Sequence, residues 1–311
     1  VKAHKKTALV WGDILNQYPE LLPELPSDLV FVDWGYDADY PFDSSLKRLA
    51  QHNVRFMAAP GTSSWNSLTG RTTDMVENIA NACAAVKYHG GEGVLLTDWG
   101  DAGHPQPFAI SWLPIALCAQ QSWSSREGAL HNATEYLNTI LVQDSSAMIG
   151  ALLADLGRYD RYQRTSKHNA TDLMTILYQA TSQTASFAEH LKNHRFGEPT
   201  VNGLMVRELK DWRERYKAVK SKNAALRPQL KALGDTIDLY EALILSYRAL
   251  HQDTPSRLRR KTLKKLNAEW SLRIRRFRAY WMKSNRISGM DDTVSTFERI
   301  ATHLQTIYDA D

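Results

Sequence analysis

Cysteine is nearly absent from this 311-residue chain, where Cys83 and Cys118 are the only two. Both sit in helix-like apolar patterns, where such residues serve as small core hydrophobes rather than as a disulfide or as ligands. No CxxC and no HExxH occurs, so nothing signals a structural zinc site. Long apolar runs are missing as well. No stretch approaches the roughly 20 residues that cross a bilayer, and the opening residues lack the apolar segment of a signal peptide. Cytoplasmic placement without a membrane partner is the resulting expectation. With 43% hydrophobic and 23% charged residues the chain is otherwise ordinary, long enough for two domains and for a real core.

What is present is a recurring pattern. Three apolar runs end in the same polar-aromatic signature: Ala8-Leu9-Val10-Trp11-Gly12-Asp13, Val30-Phe31-Val32-Asp33-Trp34-Gly35-Tyr36-Asp37 and Val94-Leu95-Leu96-Thr97-Asp98-Trp99-Gly100-Asp101. A fourth, Arg55-Phe56-Met57-Ala58-Ala59, ends at Pro60-Gly61-Thr62-Ser63-Ser64-Trp65-Asn66. Short continuous apolar runs are what strands buried on both faces of a parallel sheet look like. Helix-like stretches at 44–52, 73–89 and 110–122 follow the strands, with Asp43, Thr72 and Thr73 as expected N-caps and Gly90-Gly91 as a stop. Residues 1–125 therefore predict four βα units, whose chemistry belongs at the carboxyl ends of the strands. Four units do not close a barrel, so such a fold needs about four more strands or a partner that supplies them.

From 126 to 311 the pattern turns helical, with apolar residues three and four apart over 129–143, 145–159, 169–194, 204–227, 229–251 and 257–284 and a last helix after Gly289. The charge divides similarly. Residues 1–194 carry 14 Lys and Arg against 20 Asp and Glu, a net charge of −6, whereas residues 195–311 carry 24 against 14, a net charge of +10. On the helix from Arg257, Leu258, Leu266, Trp270, Ile274, Phe277 and Trp281 oppose a face of Arg and Lys. No nucleic-acid-binding signature accompanies that face, so nucleic acid is not an expected partner. A solvated surface, or one docking on the acidic half or on a second subunit as in a homodimer, accounts for it.

The four strand ends resemble those of family 20 glycoside hydrolases, the β-N-acetylhexosaminidases, and in particular the bacterial branch with a helical C-terminal domain. The resemblance covers residues 7–125 with specific motifs; beyond them it rests on helical character and on the stretch from Tyr280-Trp281 to Gly289. It implies an α/β fold consisting of strands five to eight of a TIM (β/α)8 barrel followed by an all-α domain. It also implies removal of terminal N-acetylglucosamine or N-acetylgalactosamine, with no cofactor and no metal. In that family the 2-acetamido oxygen of the substrate is the nucleophile, and a consecutive Asp-Glu pair orients it and protonates the leaving oxygen. No Asp-Glu dipeptide occurs in this chain. The pair is expected in an N-terminal half-barrel, in the same or a partner chain, and the chain alone is expected to be inactive.

By the resemblance, Trp11, Trp34, Trp65 and Trp99 line the sugar pocket, Tyr36 donates to the acetamido oxygen, and Asp101 accepts from the 4- and 6-hydroxyls, where the family more often has Glu. Asp13, Asp39, Asn66 and His104 complete the expected substrate-binding set. Each has another reading: Trp11 and Trp65 as packing beneath the site, Tyr40 in place of Tyr36, and Asp13, Asp39, Asn66 and Asp101 as helix caps. His104 serves equally as a loop-fixing hydrogen bond. Two other functions compete with the hydrolase, namely a catalytically silent binding or association fragment and a different sugar-stacking (β/α)8 hydrolase.

Overall fold

The computed structural model describes residues 2–124, 128–158, 162 and 168–311. Strands β1 (Ala8–Trp11), β2 (Leu29–Trp34) and β3 (Arg55–Ala59) form a parallel sheet in the order β1-β2-β3, with Trp11 beside Val32 and Trp34 beside Ala59. Helix α1 (Asp13–Gln17) follows β1, α2 (Phe42–Gln51) follows β2, and α3 (Thr72–His89) follows β3. Phe31 and Phe56 of the sheet bury against Phe42, Leu46 and Leu49 of α2 and against Ala82, Ala85 and Val86 of α3. Gly90, at φ 75°, ends α3 in the left-handed conformation that a side chain would strain. The expected caps differ: Pro41 and Arg71 precede α2 and α3, while Asp43 and Thr72 lie inside the first turns.

The half-barrel expectation is overturned. Among the described residues 66% are helical and the one sheet has three strands, so these are not strands five to eight of a TIM barrel. The fourth run does lie alongside β3, through Leu95 N donating to Ala58 O (2.8 Å), Thr97 N to Pro60 O (2.9 Å) and Thr62 N to Thr97 O (2.9 Å). It makes only two isolated bridges, Ala58 with Val94 and Gly61 with Thr97. Pro60 sits between them and has no N–H to give, so the ladder is cut at the point where a fourth strand would be continuous.

The remaining helices are α4 (Trp112–Trp123), α5 (Ala129–Tyr136), α6 (Ile149–Leu156), α7 (Thr175–Gln179), α8 (Thr184–Asn193), α9 (Pro199–Ala218), α10 (Arg227–Leu250), α11 (Ser256–Ser284) and α12 (Met290–Ala310). The expected boundary at 125/126 and the expected helix end at Tyr159 fall outside the described residues. One apolar core runs from Leu68 and Ile79 through Leu117, Leu153 and Phe187 to Leu243, Trp270 and Phe297, joining α3 and α4 to the helices that follow. Two arginines of the basic pattern on α11 turn towards α10. Arg273 and Arg276 pair with Asp238 of α10, Arg213 of α9 joins them on the same carboxylate, and Arg276 also reaches Asp235. Although burial opposes ionisation, Arg273 and Arg213 hold Asp238 below the usual carboxylate range.

Asp144 is a second polar knot. It is 6% exposed, and it accepts from Ser146 N and Oγ, Lys220 N, Met148 N and Ile149 N, tying the turn before α6 to the chain after α9. Those donors outweigh burial and keep its carboxyl below the ordinary range.

Candidate functional site

The carboxyl ends of β1 and β2 open on a cleft of about 820 Å³. Trp11 closes β1, Asp13 and Asn16 stand on α1, Trp34, Tyr36, Asp37 and Tyr40 follow β2, and Trp99 and Asp101 come from the loop beyond the interrupted fourth run. His168 and Asn169 enter from the helical part of the chain. Parallel strands send every chain end to one side of the sheet, so residues far apart in sequence meet there.

The aromatic groups form two linked pairs. Trp34 stacks on Tyr36 with ring centroids 5.3 Å apart, and Trp11 faces Trp99 at 6.2 Å with planes 48° apart. The Trp99 indole N–H donates to the Tyr36 hydroxyl at 2.8 Å and joins the pairs. Burial raises the Tyr36 phenol above its ordinary value, and the negative charge of Asp101 pushes in the same direction, against hydrogen bonds from Trp99 and Thr97. Tyr36 is therefore a neutral hydroxyl at physiological pH.

Beneath this layer the loops are fixed by buried polar groups. Asn78 on α3, fully buried, donates to Gly35 O (3.0 Å) and Asp37 O (2.9 Å) and accepts from Gly61 N (3.0 Å). Gly61 is required by close approach, since a Cβ there would stand 2.3 Å from Trp65 and 2.9 Å from the Tyr36 ring. Asp98 accepts from Thr62 Oγ1 (2.7 Å) and Ser64 Oγ (2.6 Å), binding the two last loops together. Asp37 accepts from Asn169 N at 3.0 Å and pairs with the His168 imidazole, so the segment from the helical region is anchored at the cleft wall. Asp33, 1% exposed, accepts from Asn16 Nδ2 (3.0 Å) and Tyr40 OH (3.1 Å) on one oxygen, while its Oδ2 has no partner. Burial raises its carboxyl above the ordinary range, against the polar groups of Asn16, Ser45 and Tyr40 and the charge of Arg48.

Six of the ten expected contacts, Trp11, Asp13, Trp34, Tyr36, Trp99 and Asp101, line the cleft. Trp65 is fully buried beneath it, edge-on to Tyr36 at 5.1 Å. Asn66 is held outside by Tyr178 OH (2.9 Å) and by its own bond to Asn169 O (3.2 Å). Asp39 is exposed on the turn before α2 and does not line the cleft. His104 fixes a loop, its N bonded to Thr293 Oγ1 (3.1 Å) and its Nδ1 donating to Gln106 O (3.0 Å). Sequence reasoning missed Asn78, Asp37, His168 and Asn169. Asn78 had a signal, an amide on the apolar stripe of Met75, Ile79 and Ala82; the other three had none, because their partners lie up to 132 positions away. Among the described residues no cluster of three His, Cys, Asp or Glu side chains is placed to hold a metal ion.

The arrangement offers flat apolar faces, one neutral hydroxyl and carboxylates at the rim, the equipment for binding a polar ring by stacking and hydrogen bonds. A scan against protein-family models and a search of curated proteins each returned no match to this chain.

Proposed function

We propose that the cleft binds a terminal N-acetylhexosamine and that the protein supplies the sugar-recognition wall of a β-N-acetylhexosaminidase. The observation that carries this reading is the convergence of three half-exposed tryptophans, Trp11, Trp34 and Trp99, with Tyr36 and Asp101 on one cleft. An indole face matches the C–H face of a pyranose, and burying about 100 Å² of apolar surface there contributes on the order of 2.5 kcal/mol. The Tyr36 oxygen already accepts from Trp99, so its proton is available to an acetamido carbonyl. Asp101, whose charge is felt at Tyr36, is the acceptor for ring hydroxyls.

In substrate-assisted hydrolysis the acetamido oxygen attacks the anomeric carbon, the glycosidic bond breaks, and an acid protonates the departing oxygen. Tyr36 would hold that carbonyl in line and stabilise the charge it acquires. With no Asp-Glu dipeptide in these 311 residues, the acid pair would come from other polypeptide. The same absence favours the second reading, sugar binding without turnover.

Titration with N-acetylglucosamine, N-acetylgalactosamine and glucose, followed by tryptophan fluorescence, tests the reading. Saturable quenching by the acetylated sugars that is weakened at least tenfold in Trp99→Ala, about 1.4 kcal/mol, is expected. Equal responses to glucose and to the acetylated sugars would contradict it. Release of 4-nitrophenol from the N-acetylglucosaminide separates turnover from binding alone.

A further inference from the structure

The only two cysteines of the chain meet. Cys83 on α3 and Cys118 on α4 are both buried and unbridged, they belong to one apolar cluster, and each sulfur stands 3.8 Å from the same Ser122 hydroxyl. Ser122, one turn on from Cys118, reaches across the interface between α3 and α4 to Cys83 as well. Ser122 lies in the last turn of α4, just before exposed Trp123, and Lys87 of α3 donates to Gln121 O at 2.5 Å in the same turn. A small oxidant therefore has to cross one helix turn, not the core.

We propose that Cys83 and Cys118 are a reversible redox pair, oxidised by a peroxide to a disulfide that cross-links α3 to α4. Cys118, Ser122 and the positive charge of Lys87 lower the Cys83 thiol against the effect of burial. Cys83, with burial, raises Cys118. Cys83 is thus the attacking thiolate and Cys118 the resolving thiol. The Cys83 thiolate attacks one peroxide oxygen, the O–O bond breaks, and the departing hydroxide takes up a proton as water, leaving a sulfenic acid. The Cys118 sulfur then bonds to the Cys83 sulfur and expels the sulfenic hydroxyl, which leaves with the Cys118 proton as a second water. Two thiols lose two electrons, and the peroxide gains them. A dithiol reductant reverses the change by thiol–disulfide exchange. The bridge acts on the helix that carries Asn78, the residue holding the cleft loops at Gly35, Asp37 and Gly61.

The test treats the reduced full chain with hydrogen peroxide, then alkylates it under denaturing conditions and maps its peptides without reduction. The expected result is a fall from two titratable thiols to none and an intramolecular Cys83–Cys118 peptide that dithiothreitol reverses. The melting temperature of the oxidised form should rise by roughly 5 °C, the scale set by closing a loop of this length. In Cys118→Ser the reaction should stop at a Cys83 sulfenic acid that dimedone traps. Two thiols surviving oxidation, cross-links only between chains, or dimedone labelling of Cys118 in Cys83→Ser as fast as Cys83 in Cys118→Ser would overturn the proposal.

Discussion

The tryptophans of the sheet end and those of the helical region are the same side chain put to opposite uses. Trp212, Trp270 and Trp281 are 3%, 0% and 7% exposed, whereas Trp11, Trp34 and Trp99 are 43%, 37% and 39% exposed. These three helical indoles fall on apolar stripes that neighbouring residues cover: Trp212 meets Tyr240 at 5.5 Å, and Trp270 meets Phe297 at 6.3 Å. At the strand ends Trp11, Trp34 and Trp99 stand where the ladder stops and line the cleft. Leaving three large rings half in water forgoes several kcal/mol of burial that the same residues realise elsewhere. Rings kept that way around one cleft mark a place where a ligand completes the burial.

Substitutions can break this contrast in order of size. Trp270→Ala should cost about 3–5 kcal/mol in denaturant unfolding, since it empties a fully buried indole site. Asp144→Ala should cost about 3 kcal/mol, because five donors lose one acceptor. Its carboxyl is held low in the folded protein, so its contribution is present above about pH 4 and is lost as pH falls through the lowered folded value. A stability profile of Asp144→Ala parallel to wild type through that acid range would contradict the assignment.

Trp99→Ala should leave unfolding within about 1 kcal/mol of wild type while removing most sugar affinity, the reverse of Trp270→Ala. A large stability loss there would make Trp99 a core residue and erase the contrast. The smallest effect is expected of Asp33→Asn. Burial raises the Asp33 carboxyl, so its stabilisation is complete below the unfolded value near pH 4 and is lost as pH rises through the folded value. The amide should therefore be the more stable form at pH 7, by about 1 kcal/mol or less, with the difference closing in acid.

Local patterns were legible and long-range polar ones were not. The apolar runs fell where β1, β2 and β3 lie, and Gly90 and Gly289 marked the end of α3 and the start of α12, because periodicity and left-handed glycines act within a few residues. The fourth run looked like a strand because its residues are strand-like. What breaks the pairing is Pro60, just after β3, which no pattern within 94–97 reveals. Trp65, for which packing beneath the site was the other reading, lies under Tyr36 two residues after Ser63 at φ 52°, while Trp99 stays in the cleft. The anchoring of Asp37 by His168 and Asn169, and the meeting of Cys83 with Cys118, depend on how helices pack across the chain, which composition does not encode.

Saturation-transfer NMR with N-acetylglucosamine tests the central claim most directly. Wild-type protein should transfer magnetisation most strongly to the acetamido methyl and the pyranose C–H face, and Trp99→Ala, still folded, should lose it. Transfer that is absent from wild type, or undiminished in Trp99→Ala, would show that the half-exposed tryptophans do not form a sugar site.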